Sequence, residues 1–182
     1  SQSSAAARDV SENSEGEVES GLPEKKHDIG NNKFSAVLSN LSGGSLLSYE
    51  LDPSITQFRG GYNDDGQYDV LAPVSLILDT QKNCAPCIQT VDKKGVSVLH
   101  ETPFKLISSS RFASSPDVAQ KLVFESTHIK DFIIRKTVTL AHDSFVINHV
   151  IDIKTNKEEV ISVGLVWDKG LRNTEKNIQD EI

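Results

Sequence analysis

The sequence has no methionine, only two cysteines and a single tryptophan among its 182 residues. A chain without an initiating methionine is expected to be a processed or excised part of a longer protein. No apolar run approaches the roughly 20 residues that a membrane-spanning helix needs. The start of the chain also lacks the charged segment and apolar core of a signal peptide. Any address or anchor of the parent protein is therefore expected to lie outside these residues.

A basic cluster is also missing. The chain has 19 Lys and Arg against 26 Asp and Glu, which gives a formal net charge of -7. Nucleic-acid binding depends on contacts between basic side chains and phosphates, and docking on anionic lipid head groups needs the same charges. The charge balance therefore disfavours both partners, and no nucleic acid is expected to bind.

Familiar catalytic signatures are absent as well. The sequence contains no GxSxG, HExxH or GxxxxGK[ST] motif, and its two glycine-rich stretches precede no helix that could hold a phosphate. No two of the five histidines lie three to five residues apart. His149 falls on the apolar face of a predicted strand, where a satisfied core or edge histidine is expected. Residue chemistry alone predicts no catalytic residue, metal or cofactor.

Two local patterns leave a ligand site open. "NDDGQYD" (63–69) places Asn63, Asp65 and Asp69 in one loop. Its glycine comes too early for an EF-hand and no glutamate follows at the twelfth position, so an Asp/Asn-rich turn is favoured over a weak calcium site. Trp167 is expected to be buried in a core strand, with a platform for sugar or peptide as the alternative.

Cys84 and Cys87 form the CxxC pair of "NCAPC". A thioredoxin-like redox pair needs a helix after it, whereas the following "IQTVDKKG" predicts extended chain. A zinc site needs two further ligands at suitable spacing, and the sequence offers none. A local disulfide, which requires an oxidising compartment, and a pair of free thiols remain the main alternatives.

The chain divides near residue 32. Residues 1–32 are rich in Ser, Glu, Asn and Gly and nearly devoid of large apolar side chains. Such a segment buries too little area to offset its ordering entropy, so a disordered acidic linker is predicted, with a tail that folds on a partner as the alternative. Residues 33–182 are predicted to form the folded domain.

Apolar and polar residues alternate through much of residues 33–182, which is the period of β-strands. "FSAVLSNLSGGSLLSYEL" (34–51) predicts two strands joined by a turn at Gly43 and Gly44. A long hairpin is predicted from 132–140 and 145–154, although Lys136 interrupts its apolar face. No helical period occurs, so an antiparallel all-β sandwich or barrel is predicted. Further strands are predicted at 74–79, 95–101, 104–110, 120–127 and 159–168, with 55–73 as a loop or ragged edge.

Four stretches in a particular order carry a family resemblance. They are "FSAVLSNLSGGSLLSYEL", "APVSLIL", "QKLVFESTHIKDFIIRKTVTLAHDSFVINHVIDI" and "VGLVWDKGLRNTEKN". Their order resembles the large periplasmic domain of the YidC/Oxa/Alb family of membrane protein insertases. Asp168 stands where the family commonly has glycine. The residues that follow the family pattern are Asn40, Gly43, Gly44, Leu51, Phe124, Ile134, Lys136, Phe145, Val146, Ile147, Trp167, Lys169, Gly170 and Leu171.

The resemblance implies a β-supersandwich like that of galactose mutarotase-like proteins, with two large antiparallel sheets and a truncated C-terminus. Residues 1–32 would follow an absent transmembrane helix, and residues 33–182 would be an incomplete periplasmic domain of a bacterial inner-membrane protein. In that compartment Cys84 and Cys87 are expected to close as a disulfide.

The resemblance also implies an accessory role without catalysis. The domain would help inner-membrane proteins to insert and fold, through contacts with Sec translocon components and nascent membrane proteins, and no cofactor is expected. Insertase activity itself would belong to membrane helices outside this chain. One alternative is a carbohydrate-binding or epimerase-like domain, which would need a histidine and a carboxylate converging in a cleft. Another is an adhesive or structural sandwich.

Overall fold

Alternating apolar residues produce strands throughout the part of the chain that the computed structural model describes, which contains no helix. The structure describes residues 21–52, 54, 59–62, 67–77, 85–113, 117–127, 129, 132–155 and 160–167. The strands in these residues are β1 (Lys26–Gly30), β2 (Phe34–Ser39), β3 (Ser45–Leu51), β4 (Arg59–Tyr62), β5 (Tyr68–Pro73), β6 (Cys87–Asp92), β7 (Ser97–His100), β8 (Lys105–Arg111), β9 (Gln120–Glu125), β10 (Phe132–Leu140), β11 (Ile147–Thr155) and β12 (Val160–Val166).

All pairings between these strands are antiparallel, so the predicted antiparallel all-β class is confirmed. The strands form four sheets with the orders β1-β2-β3, β11-β10-β9-β8, β12-β6-β7 and β4-β5. The first three sheets share one buried core, which includes Leu38, Ile88, Phe124 and Val138. None of the described residues forms a helix that is long and apolar enough to cross a bilayer.

Both predicted hairpins are confirmed. Strands β2 and β3 pair around the double glycine, and β10 pairs with β11 over nine residues each. A bulge between Val37 and Leu38 shifts the register of the first hairpin. Because a shift of one residue exchanges the faces of a strand, Leu46 and Tyr49 are both buried, although strict alternation would place them on opposite faces.

Three predicted segments need correction. The predicted linker includes β1, which pairs with β2 along its whole length and buries only Ile29 of its five residues. β1 is held by hydrogen bonds to the backbone of β2, and such bonds do not depend on side chains. The polar composition of the segment therefore did not indicate a strand. Segment 55–73 was predicted as a loop or ragged edge, and its described residues include the paired strands β4 and β5. Within the predicted strand 74–79, the described residues make only isolated bridges such as Glu50 with Ser75.

Asn40 joins the end of β2 to two other segments. Its side chain is buried, with the residue 4% exposed. Its Oδ1 accepts the N–H of Lys25 at 2.8 Å, and its Nδ2 donates to the carbonyls of Phe104 at 3.1 Å and Pro23 at 3.3 Å. The Phe104 N–H also donates to the Asn40 carbonyl at 2.9 Å. The Asn40 side chain therefore links segments 23–25 and 104 to the end of β2, where no regular strand pairing joins them.

We expect Asn40→Ala to lower the free energy of unfolding by about 2 kcal/mol, because it leaves buried backbone groups without partners. Urea denaturation followed by Trp167 fluorescence measures this loss. Asn32→Ala is the control, since Asn32 is exposed and makes one side-chain bond, to Asp143. An equal loss in both variants would contradict the structural role given to Asn40.

Candidate functional site

An apolar groove of about 740 Å³ opens between three of the four sheets. This volume falls within the range of roughly 300–1,000 Å³ that is usual for ligand pockets. The lining comes from β2 and β3, from the segment between β5 and β6, from β11 and the turn before it, and from β12 and the residue after it. The lining residues are Leu38, Leu46, Tyr49, Leu51, Leu76, Ile77, Pro86, Phe145, Ile147, His149, Leu165 and Trp167.

The groove lies where three sheets end. β3, β11 and β12 are each the outermost strand of a sheet among the described strands. The outer edge of β3 is partly covered, since the Leu51 N–H donates to Val74 and the Leu76 N–H donates to Tyr49. β11 and β12 each have one neighbouring strand in the described part of the chain. Edge strands offer backbone donors and acceptors to an added strand.

Large apolar side chains stand exposed around the groove. Phe145 is 44% exposed, Leu165 45% and Trp167 47%, whereas Leu38 and Leu46 at the floor are buried. The expectation of a buried Trp167 is wrong, because it directly follows β12 at the edge of a sheet. Exposed apolar side chains of this size, grouped together, typically mark an interaction site.

Tyr49 and His149 bring polar groups to the groove. The Tyr49 hydroxyl donates to the Phe145 carbonyl at 2.7 Å, and burial raises the pKa of Tyr49 to about 12. The buried Nδ1 of His149 finds no hydrogen-bond partner among the described residues, so the expectation of a satisfied histidine is wrong. Burial, and then the charge of Lys136, lower the pKa of His149 to about 3. The imidazole is therefore neutral near pH 7, and no carboxylate is among the described residues that line the groove.

Lys136 is buried directly behind this site. It belongs to β10, an inner strand of the four-stranded sheet, and its side chain is completely inaccessible to water although lysine normally carries a charge. The ammonium nitrogen Nζ donates to the carbonyls of Ser42 at 3.3 Å, Gly44 at 3.4 Å and Pro86 at 3.3 Å. Burial lowers the pKa of Lys136 to about 7. The sequence signal for this residue was one charged side chain on an otherwise apolar face.

The double glycine allows the β2–β3 turn to reach Lys136. Gly43 and Gly44 have φ values of +68° and +110°, which L side chains rarely adopt. A Cβ on Gly43 would lie 2.9 Å from Cδ2 of Phe104 and 3.2 Å from Cβ of Lys136. The turn therefore needs glycine for its close approach to the β9–β10 face as well as for its backbone conformation.

The other histidines have separate surroundings. His100 Nε2 lies 2.8 Å from Thr90 Oγ1 beside a smaller cavity of about 210 Å³, and burial lowers its pKa. His27 packs edge-on against Phe124, and its pKa is lowered first by burial and then by the charge of Lys25. His142 Nε2 lies 2.9 Å from the Phe112 carbonyl, and His128 falls outside the described residues. No described group of three or more His, Cys, Asp and Glu could hold a metal.

The remaining predicted site residues are only partly described. Cys87 is buried at the start of β6 and is disulfide-bonded. Cys84 lies outside the described residues, so its pairing with Cys87 stays a prediction. Asn63 and Asp65 of the possible calcium loop also lie outside them, whereas Asp69 is exposed on β5. Comparison with known proteins gives no match among family models, curated proteins or solved structures.

Proposed function

We propose that this chain is an accessory periplasmic domain of a bacterial membrane protein insertase. It helps inner-membrane proteins to insert and fold by binding polypeptide, and it catalyses no reaction. The observation that carries the proposal is the apolar groove with Phe145, Leu165 and Trp167 exposed around it. The four sequence stretches that resemble the insertase family supply the cellular setting and the expected partners, which are nascent membrane proteins and Sec translocon components.

The chemistry of the groove favours uncharged apolar segments. Of the described residues that line it, none is acidic or basic apart from His149, whose lowered pKa keeps it neutral. Covering an exposed aliphatic or aromatic side chain completely contributes about 2 kcal/mol. The outer edges of β11 and β12, which have no neighbouring strand among the described residues, would add backbone donors and acceptors for an extended partner. Nascent membrane proteins are rich in segments of this kind.

The proposal also includes how the sheets are arranged in the complete domain. We infer a β-supersandwich of the galactose mutarotase-like type that further strands of a longer parent chain complete. Among the described residues β11 and β12 each have a neighbouring strand on one side only, and exposed apolar side chains lie next to them, which supports this inference. In the parent protein, the part of the groove that those strands do not cover would then bind the proteins that are being inserted.

A carbohydrate epimerase or sugar-binding domain is less well supported. Epimerisation needs an acid and a base that converge on the substrate. Within the described part of the lining, His149 is the only histidine, and that part contains no Asp or Glu. Sugars also need several polar partners, whereas the polar groups on the described lining side chains are the Tyr49 hydroxyl, which already donates to Phe145, the His149 imidazole and the Trp167 indole N–H.

Binding of a leucine- and alanine-rich peptide with polar ends tests the proposal. We expect Leu165→Glu to weaken this binding at least about tenfold, or roughly 1.4 kcal/mol, because it places a charge in an apolar site. Trp167 fluorescence reports the binding, both for this chain and for the full parent protein. Val150→Glu is the matched control, since Val150 is 53% exposed on β11 and does not line the groove. Absence of binding to the unmodified protein, or equal weakening by both variants, would refute the proposal.

A further inference from the structure

Lys136 connects three sheets through one nitrogen atom. The side chain belongs to β10, in the middle of the four-stranded sheet. Two of its acceptors, the carbonyls of Ser42 and Gly44, lie in the turn between β2 and β3. The third acceptor is the carbonyl of Pro86, immediately before β6. Separation of any of these elements from β10 therefore removes a hydrogen bond from Nζ.

The number of donors matches the number of acceptors. A lysine ammonium has three N–H donors and no acceptor, whereas the neutral amine has two donors and a lone pair. The three carbonyls at 3.3–3.4 Å are suited to the ammonium. Its complete burial opposes the same charged form, because water is excluded. Lys136 is thus held by contacts that favour its charge, in a place that disfavours it.

Few charged or titratable groups face Lys136. The turn 40–45 contains none, and at the start of β6 Cys87 is disulfide-bonded. On β9, Phe124 is the cross-strand neighbour of Lys136, and Glu125 on the opposite face pairs with Arg135. β11 contributes His149, whose pKa the charge of Lys136 helps to lower. Among the described elements packed around it, no carboxylate offsets the buried ammonium.

The acceptors of Lys136 belong to the floor of the groove or lie next to it in the chain. Pro86 lines the groove and accepts from Nζ through its carbonyl. Leu38 and Leu46 line it as well, and they flank the turn that holds the other two acceptors. Displacement of this turn from β10 would move two leucines of the lining and would bring water to Nζ. The shape of the groove floor and the solvation of Lys136 are therefore linked.

We propose that Lys136 is a proton-coupled latch beneath the groove: the floor opens only when Nζ leaves its three carbonyls, and in neutral to alkaline solution this opening takes up one proton. The latch would regulate the binding site assigned above, so its relevance to clients depends on the proposed function. Opening of the floor would be easiest at and below neutral pH and progressively rarer above it.

The direction follows from linkage. Burial lowers the pKa of Lys136 in the closed state to about 7, whereas in water the value is 10.5. Between these two values the closed state has lost its proton and the open state holds one. A one-proton difference lowers the opening equilibrium constant about tenfold for each unit of pH. Below pH 7 both states are protonated, so the constant no longer depends on pH.

Amide hydrogen exchange from pH 6 to pH 9, corrected for intrinsic rates, tests this proposal. The Leu46 amide is the reporter, because it donates to the Ala85 carbonyl across the floor. We expect its protection to be constant below pH 7 and to rise about tenfold per pH unit above it. The Gly95 amide, which donates to Asp92 in a distant turn, is the reference and is expected to show no such rise. Repeating the exchange in low concentrations of urea separates this local opening from global unfolding, because exchange through global unfolding accelerates strongly with urea and exchange through local opening does not.

Lys136→Met provides the variant, because methionine has a similar length and no proton to exchange. We expect Leu46 protection in this variant to be independent of pH. If the variant fails to fold, an NMR titration of the Lys136 side chain in the unmodified protein replaces it. Constant Leu46 protection from pH 6 to 9, the same slope in Lys136→Met, or a side chain that titrates as in water would each overturn the latch. Exchange needs no peptide, so failed peptide binding would refute the proposed function and leave the latch intact.

Discussion

Gly43→Ala is expected to lower the free energy of unfolding by about 3 kcal/mol. The φ of +68° places residue 43 in the left-handed region, which costs a residue with a Cβ about 1–2 kcal/mol. The added methyl group would also lie 2.9 Å from Cδ2 of Phe104 and 3.3 Å from Cβ of Phe124. Overpacking of a core by such a group costs about 1–3 kcal/mol, and here the second contact is close to the backbone and gives way poorly.

Gly95→Ala separates the two contributions. Gly95 has a φ of +79°, yet a Cβ there would have no heavy atom within 4 Å. We expect this control to cost about 1 kcal/mol, which is the backbone term alone. Urea titrations of both variants give the difference, which measures how tightly the β2–β3 turn is packed on β9 and β10. Equal losses would mean that the turn is not held against the core.

This turn illustrates how far the sequence leads. Two glycines between alternating strands predict a hairpin, and β2 and β3 confirm it. The pattern is silent on what lies opposite, because Phe104 and Lys136 are far away in sequence. Position 43 needs glycine both for its backbone conformation and for its close approach to residues far away in the sequence. Only the backbone requirement can be recognised from the neighbouring sequence.

Lys136 shows the same limit more clearly. In the sequence it interrupts an apolar face, which suggests a defect in that face or an edge position. In the structure it is completely buried, because Ser42, Gly44 and Pro86 supply acceptors. All three acceptors are backbone carbonyls, and a carbonyl is present at every residue. No residue type could therefore have identified them in advance.

The groove could be predicted only in its parts. Alternation identifies the apolar residues of β11 and β12, but a strand at an edge has the same pattern as a strand in the middle of a sheet. Trp167 was accordingly expected to be buried, and it is 47% exposed. The order of strands in the sheets decides which apolar residues remain uncovered. That order depends on long-range pairing, on which the periodicity of a single strand gives no information.

Acidification is expected to destabilise the protein through His149. Its pKa in the folded state is about 3, compared with 6.5 in an unperturbed chain. The unfolded chain therefore binds a proton near pH 6.5 while the folded protein does not. The corresponding stability is fully present above pH 6.5 and is lost as the pH falls toward 3. Between pH 6.5 and pH 4.5 this single group should remove about 2 kcal/mol.

His149→Leu should abolish this part of the acid sensitivity, and it also removes the unpartnered Nδ1. Urea titrations at several pH values measure the slope, and His149→Gln tests whether the proton or the polarity matters. Asn148→Leu, next to it on the exposed face of β11, should keep the slope of the unmodified protein. His27 and His100 also have lowered pKa values and leave a residual slope in every variant. Unchanged acid sensitivity in both His149 variants would show that the groove imidazole takes up protons freely, and the groove would then be less apolar than its lining indicates.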